Sequence, residues 1–144
     1  MSDRCFLDTN IFIYSIDRRD PAKEQKALNL IRDCLSSKKG AISFQVVQEF
    51  FNARKRLLAP MSLESSQLYL ERVFRPMLRV HSSTTLYADA LQFQSRYQLS
   101  WYDSLIVCGA LQAECSILYS EDMQHNQQFG KLGVVNPFLD SSVN

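Results

Sequence analysis

The sequence predicts an α/β fold: a short parallel sheet of four or five strands flanked by helices. Two observations predict it. Short apolar runs of strand length alternate with longer segments whose apolar residues recur at helical spacing. No internal repeat, low-complexity tract or block of like charge interrupts that alternation, so 1–139 reads as one domain and 140–144 as a loose tail.

Cys5-Phe6-Leu7 is a buried strand that ends abruptly in Asp8-Thr9-Asn10. Residues 11–16 form a short apolar helix. Asp20-Pro21 starts the next helix, with Asp as cap and Pro in the first turn. Ala27, Leu28, Leu30, Ile31 and Leu35 give it a core stripe, and Gly40 closes it. Residues 41–43 are a buried strand. A helix follows over 44–57, with Val46, Val47, Phe50 and Phe51 on one side and Gln45, Glu49 and Asn52 on another. Pro60 ends that pattern. Ser62 starts a helix that runs to about 74, where Pro76 stops it, and 77–80 is a strand. Helices over 84–97 and 101–113 follow, the second opened by Ser100. Residues 117–119 are a strand ending in Ser120-Glu121-Asp122, and Val134-Val135 is a last edge strand.

Composition bounds the function. Hydrophobic residues make up 46% and charged residues 22%, the balance of an ordinary globular protein. A net charge of +1 argues against gripping nucleic acid through bulk charge, so any such contact rests on local basic patches or on metal ions. Cys5, Cys34, Cys108 and Cys115 show no CxxC or zinc spacing and read as buried reduced thiols, in keeping with a cytoplasmic protein. No signal peptide or run of membrane-spanning length is present, so no membrane association is expected.

Acids fall where such a fold places chemistry. In open α/β sheets, ligands bind beyond the carboxyl ends of the strands. Asp8 and Asp122 follow strands, while Glu49 and Asp103 lie in the early turns of helices, so one rim can gather all four. Each also has a plainer explanation. Asp8 is a good N-cap, Ser100-x-x-Asp103 is a capping box, Asp122 fits a turn and Glu49 fits a solvated helix face. Two unit charges about 4 Å apart repel by roughly 4 kcal/mol at an effective dielectric near 20. Protons or a cation must relieve that repulsion, and all-oxygen surroundings favour Mg²⁺ or Mn²⁺ over zinc. Such an ion supports phosphodiester hydrolysis.

Four segments, Phe6-Leu7-Asp8-Thr9-Asn10-Ile11, Val46-Val47-Gln48-Glu49-Phe50, Ser100-Trp101-Tyr102-Asp103-Ser104-Leu105-Ile106 and Leu118-Tyr119-Ser120-Glu121-Asp122-Met123, resemble the motifs of PIN-domain ribonucleases. The nearest subgroup is the VapC-type toxins of toxin–antitoxin systems. The match spans nearly the whole chain in the family's order. It implies a PIN-like three-layer fold and an Mg²⁺- or Mn²⁺-dependent endoribonuclease. Asp8, Glu49, Asp103 and Asp122 would be its catalytic, metal-binding acids, with Thr9, Asn10 and Ser120 as polar support. It further implies an RNA substrate, products with 3′-hydroxyl and 5′-phosphate ends, a homodimer, and a cognate VapB-like antitoxin protein. In Gln124-His125-Asn126, Asn stands where related sequences more often have Gly; Asn tolerates the left-handed backbone. Of the adjacent acids, the family pattern favours Asp122 over Glu121 as ligand.

Arg54, Lys55, Arg56 and His125 are the candidate RNA contacts; a basic cluster is otherwise a solvated face. His81 reads as structural or exposed. Phe50, Phe51, Leu57, Leu58, Met61, Leu68 and Tyr69 form an apolar stretch that serves the core, a groove for an amphipathic partner segment, or both. Other readings are a housekeeping PIN nuclease for RNA processing and a non-catalytic RNA- or partner-binding module. A haloacid-dehalogenase-type phosphatase would need a second Asp where Asn10 stands. A receiver domain fits poorly, with Asp3 alone before the first strand and Lys131 as its late lysine.

Overall fold

The computed structural model describes residues 3–57 and 59–139; the tail read over 140–144, and Leu58, lie outside the described residues. The order along the chain is β1 (Arg4–Leu7), α1 (Thr9–Ile16), α2 (Pro21–Ser37), β2 (Gly40–Ser43) and α3 (Phe44–Ala53). A 3₁₀ turn (Arg54–Arg56), α4 (Leu63–Tyr69), a π turn (Leu70–Phe74), α5 (Arg75–Met77) and β3 (Leu78–Val80) follow. The chain continues with α6 (Thr84–Tyr97), α7 (Trp101–Gln112), β4 (Cys115–Tyr119), β5 (Gln128–Phe129) and β6 (Leu132–Val135).

The described strands form one sheet in the order β3-β2-β1-β4-β6-β5. All neighbours are parallel except β5 and β6. Helices flank it, as the alternating pattern predicts. Phe6, Leu7, Ile42 and Leu118 are fully buried in the sheet, beneath Ile11, Phe12, Val46, Phe50 and Ile106 from the helices. Strand order reverses at β1, which pairs with β2 on one side and β4 on the other. That reversal opens a crevice at the strand ends, the place where α/β sheets bind ligands. Asp8 and Asp122 follow the two strands that flank it.

Several elements differ in detail from the sequence reading. The sheet has a sixth strand, β5, only two residues long. It takes the edge, so β6 lies inside the sheet between β4 and β5. Gly40 does not close α2; Lys38 does, in the left-handed conformation at φ 62°. Gly40 opens β2, where a Cβ would come within 2.7 Å of Met77 Sδ and 2.8 Å of Cys34 Cβ. Close packing, not turn geometry, requires glycine there. Pro76 does not stop its helix either. The chain widens into a π turn, with Arg75 N–H donating to Leu70 C=O, and stays helical through Met77. The helix expected to reach 57 leaves α geometry after Ala53 and tightens into the 3₁₀ turn.

An aromatic cluster joins α1, α3, α4 and the π turn. Phe50 stacks on Tyr69 at 4.7 Å between centroids and meets Phe74 edge-on at 5.0 Å, while Phe12 meets Phe74 at 5.1 Å. Phe50 and Leu57 are buried and Phe51, Met61 and Tyr69 pack partly against the core, whereas Leu68 is exposed. Core packing therefore accounts for most of that stretch. Among the described residues the four cysteines are free, and Cys5 Sγ lies 2.9 Å from Cys34 Sγ. No helix in the described residues is long and apolar enough to cross a membrane.

Candidate active site

A cleft of about 210 Å³ opens at the crevice. Asp8, Glu49, Asp103 and Asp122 all line it, with Thr9 and Asn10 between them. Four segments far apart in sequence thus deliver carboxylates to one hollow.

Asp8 arrives at the end of β1 and caps α1. Its side chain accepts from Thr9 N at 2.7 Å and from the Ser120 hydroxyl at 2.9 Å. Asp8 is 7% exposed and Ser120 fully buried, so this contact is shielded from water. Burial pushes the Asp8 carboxyl up to about 6; the charges of Glu49 and Asp122 push the same way, and the two hydrogen bonds oppose them.

Thr9 serves two acids. Its backbone N–H goes to Asp8, and its hydroxyl donates to Glu49 Oε1 at 2.8 Å. Glu49 lies one helical turn beyond Gln45 on α3, so both side chains share the face turned to the cleft. Asp103 sits in the first turn of α7. Ser100 caps that helix by accepting from Asp103 N at 3.1 Å, so the Asp103 backbone serves the cap while the residue lines the cleft.

Asp122 is exposed and accepts from Asn10 Nδ2 at 2.8 Å. Its carboxyl is raised, first by desolvation and then by Glu121 and Asp103. Glu121 is absent from the cleft lining. It accepts from Tyr14 Oη at 2.5 Å and pairs with Lys23 Nζ at 2.5 Å. Lys23 also lies over the Tyr14 ring, 4.6 Å from its centroid. Adjacent acids therefore take separate parts: Glu121 is neutralised behind the loop, and Asp122 faces the cleft.

The basic candidates separate too. Arg56 lines the cleft, with its backbone carbonyl held by Arg19 at 2.7 Å. Arg54 instead lies over the Phe51 ring, and Lys55 is exposed away from the lining. His125 is exposed outside the cleft, where its Nδ1 accepts from Asn136 N at 3.0 Å. Asn126 adopts the left-handed backbone at φ 71°, as its sequence position requires. His81 is exposed.

Gln45 and Tyr102 also line the cleft, though neither stands out as functional in the sequence. Gln45 had one signal, its spacing to Glu49; Tyr102 had only its place beside Asp103.

Among the described residues, no three carboxylate, histidine or cysteine side chains already stand together as a metal ligand set. Thr9, Asn10 and Ser120 hold the acids instead. The donors still fit a hard cation in kind. They are all oxygen, and Mg²⁺ keeps several waters and needs only one or two carboxylates directly. Burial raises the Asp8 carboxyl first and the charges of Glu49 and Asp122 add to it, so a cation held beside Asp8 would favour its ionised form.

Comparison with known proteins adds lineage to this geometry. The family model of the PIN domain matches residues 5–128. No curated protein matches the sequence significantly. Among solved structures, a toxin–antitoxin complex from Klebsiella pneumoniae aligns with a TM-score of 0.62 at 17% identity, covering 93% of this chain and 98% of that one. VapC20 of Mycobacterium tuberculosis, a toxin that cleaves the sarcin–ricin loop, aligns at 0.60 with 19% identity, covering 82% and 89%. VapBC2 of Rickettsia felis, solved with a DNA fragment from its promoter, aligns at 0.59 with 20% identity, covering 90% and 96%.

Proposed function

Because this chain belongs to the PIN domain family, a family of nucleases, we propose that it is an Mg²⁺- or Mn²⁺-dependent endoribonuclease and the toxin of a type II toxin–antitoxin pair. The observation that carries the reading is the meeting of Asp8, Glu49, Asp103 and Asp122 in one cleft. Structural neighbours drawn from toxin–antitoxin complexes support the biological role. VapC20, which cuts RNA at the sarcin–ricin loop, supports the substrate class.

The four acids would hold the cation, which when bound polarises the phosphoryl group and makes water a stronger nucleophile. Thr9 keeps Asp8 and Glu49 in fixed relation through its two donors. Ser120 holds the far oxygen of Asp8, and Asn10 steers Asp122. Arg56 contributes the positive charge that attracts a backbone phosphate into an otherwise acidic hollow. Water adds to phosphorus, the bond to O3′ breaks, and the proton passes to that oxygen. The products are a 3′-hydroxyl and a 5′-phosphate.

An antitoxin of the VapB kind and a homodimer belong to the same proposal. Leu63 and Leu68 on α4, 70% and 44% exposed, offer apolar surface to a partner segment. Tyr87 and Leu91 on α6 are exposed one turn apart, the pattern of a helix–helix interface.

Incubation of the purified protein with RNA in Mg²⁺ or Mn²⁺ tests the activity. Cleavage that stops with EDTA and in Asp8→Asn or Asp103→Asn protein, with fold retained by circular dichroism, is expected. Full activity in either variant removes that residue from the mechanism. Growth arrest on expression, absent for the variant, supports the toxin role; mapping the cut RNA ends after brief induction identifies the target.

A further inference from the structure

We propose that Tyr102 is a nucleobase-stacking residue, so that the cleft takes RNA whose bases are unpaired and splayed out. The inference rests on the ribonuclease reading above and specifies the form of its substrate.

Tyr102 is the second residue of α7, next to Asp103, and lines the cleft while 63% exposed. Among the described residues neither its ring nor its hydroxyl has a partner, although rings are abundant nearby. Tyr87 pairs with Trp101, for example, at 6.3 Å between centroids. An exposed aromatic with no packing duty at the mouth of a polar cleft gains nothing for the fold.

Its backbone, by contrast, is held firmly. Gln45 is 3% exposed and donates from Nε2 to the Tyr102 carbonyl at 3.1 Å. That bond fixes the orientation of the amide and leaves Gln45 Oε1 buried without a partner. A buried acceptor left without a donor is destabilising, a high cost for placing one loosely packed ring. The bond ties the start of α3, which carries Glu49, to the start of α7, which carries Asp103 and Tyr102.

Size decides where a base can go. Pockets that enclose a drug-sized ligand run to about 300–1,000 Å³. At about 210 Å³ the cleft falls short of that range. It has room for a phosphate and part of a ribose against the acids and Arg56, while the attached base must lie outside, on the rim. Tyr102 is the aromatic surface there. A base inside a duplex is already stacked on both faces and cannot use it, whereas single strands and loops can.

The test measures binding and cleavage separately. Fluorescence anisotropy in Ca²⁺ reads the affinity of labelled single-stranded oligoribonucleotides, alongside oligomers with one abasic residue at each position in turn and a fully abasic strand. Cleavage is followed in Mg²⁺ or Mn²⁺. Tyr102→Ala and Tyr102→Leu are expected to raise Kd and KM roughly ten-fold or more, with kcat little changed, and Tyr102→Phe to match wild type. The gap between wild type and Tyr102→Ala should vanish with an abasic residue at the critical position, and duplex RNA should bind both proteins equally poorly. Equal affinity of wild type and Tyr102→Ala for intact single strands overturns the proposal, as does a gap that survives on the fully abasic strand. If binding depends on Tyr102 but no RNA is cut, stacking stands and the nuclease reading falls. If no RNA binds, both fall.

Discussion

The Ser120 hydroxyl donates to Asp8 Oδ2 at 2.9 Å, joining the ends of β4 and β1 across the point where strand order reverses. The residues stand 112 positions apart in the chain, and both are buried. A hydrogen bond to a buried carboxylate is worth more than one between neutral groups, because the charge has no water to fall back on. Ser120→Ala should therefore destabilise the protein by about 1–3 kcal/mol at pH 7.5. The loss should shrink at pH 5, where Asp8 is protonated and needs less help. Urea unfolding at the two pH values checks this, and equal losses at both would separate Ser120 from the Asp8 charge.

Stability of the metal-free protein should fall as pH rises from about 4 to about 7. The Asp8 carboxyl moves from its ordinary 3.8 to about 6 on folding, chiefly through burial. The folded chain therefore binds that proton more tightly than the unfolded chain does. The resulting stabilisation is complete below 3.8 and is lost as pH climbs through about 6, on the order of 2–3 kcal/mol in all. Asp122 is raised as well and acts in the same sense. Asp8→Asn removes the larger effect, so the variant should be more stable than wild type at pH 7.5 and its profile flatter. Mg²⁺ or Mn²⁺ should raise the melting temperature of wild type at pH 7.5 more than at pH 5, and that of Asp8→Asn less at either.

Glu121 and Asp122 should behave as opposites despite adjacency. Glu121 is tied to Tyr14 and Lys23 and stays out of the cleft. Its partners are partly open to solvent, at 31% for the Lys23 side chain and 22% for its own, so the ion pair is worth no more than about 1 kcal/mol. Glu121→Gln should cost about that much stability and leave cleavage within a few-fold of wild type. Asp122→Asn should relieve crowding among the acids, leaving stability unchanged or improved while cleavage drops well below that of Glu121→Gln. Parallel melting curves and initial rates on one RNA decide the assignment.

Much of this arrangement is legible in the sequence, for a physical reason. Asp8 and Asp122 are visible because each ends a short apolar run, and a buried strand must end where its polar residues begin. Glu49 is visible through its apolar surroundings on α3. What escaped depends on contacts between distant segments. Nothing local to Tyr14 or Lys23 reveals that they neutralise Glu121 about a hundred residues away. Arg54, Lys55 and Arg56 look alike as a run, and only the 3₁₀ turn after α3 brings Arg56 to the cleft. Gly40 reads as a helix stop because glycine so often is one, whereas here Met77 and Cys34 leave no room for a side chain. Strand β5 has two residues, too few to carry any period.

Thr9 offers the sharpest separation of fold from function. Its hydroxyl donates to Glu49 Oε1 at 2.8 Å, and its backbone N–H serves Asp8 whatever the side chain is. Thr9→Val keeps the shape and the backbone bond but removes the hydroxyl, and Thr9→Ser keeps the hydroxyl. Thr9 is 8% exposed, so valine's methyl group meets little water, and the stability change should stay near 1 kcal/mol in either variant. Glu49 released from its donor no longer stands at a fixed distance from Asp8. Cleavage by Thr9→Val should fall roughly ten- to a hundred-fold, as it does when supporting hydrogen bonds around metal-site ligands are lost. Thr9→Ser should keep most of the rate, and raising the Mn²⁺ concentration should recover part of the loss in Thr9→Val. A valine variant with wild-type activity at limiting Mn²⁺ would show that Glu49 needs no such support.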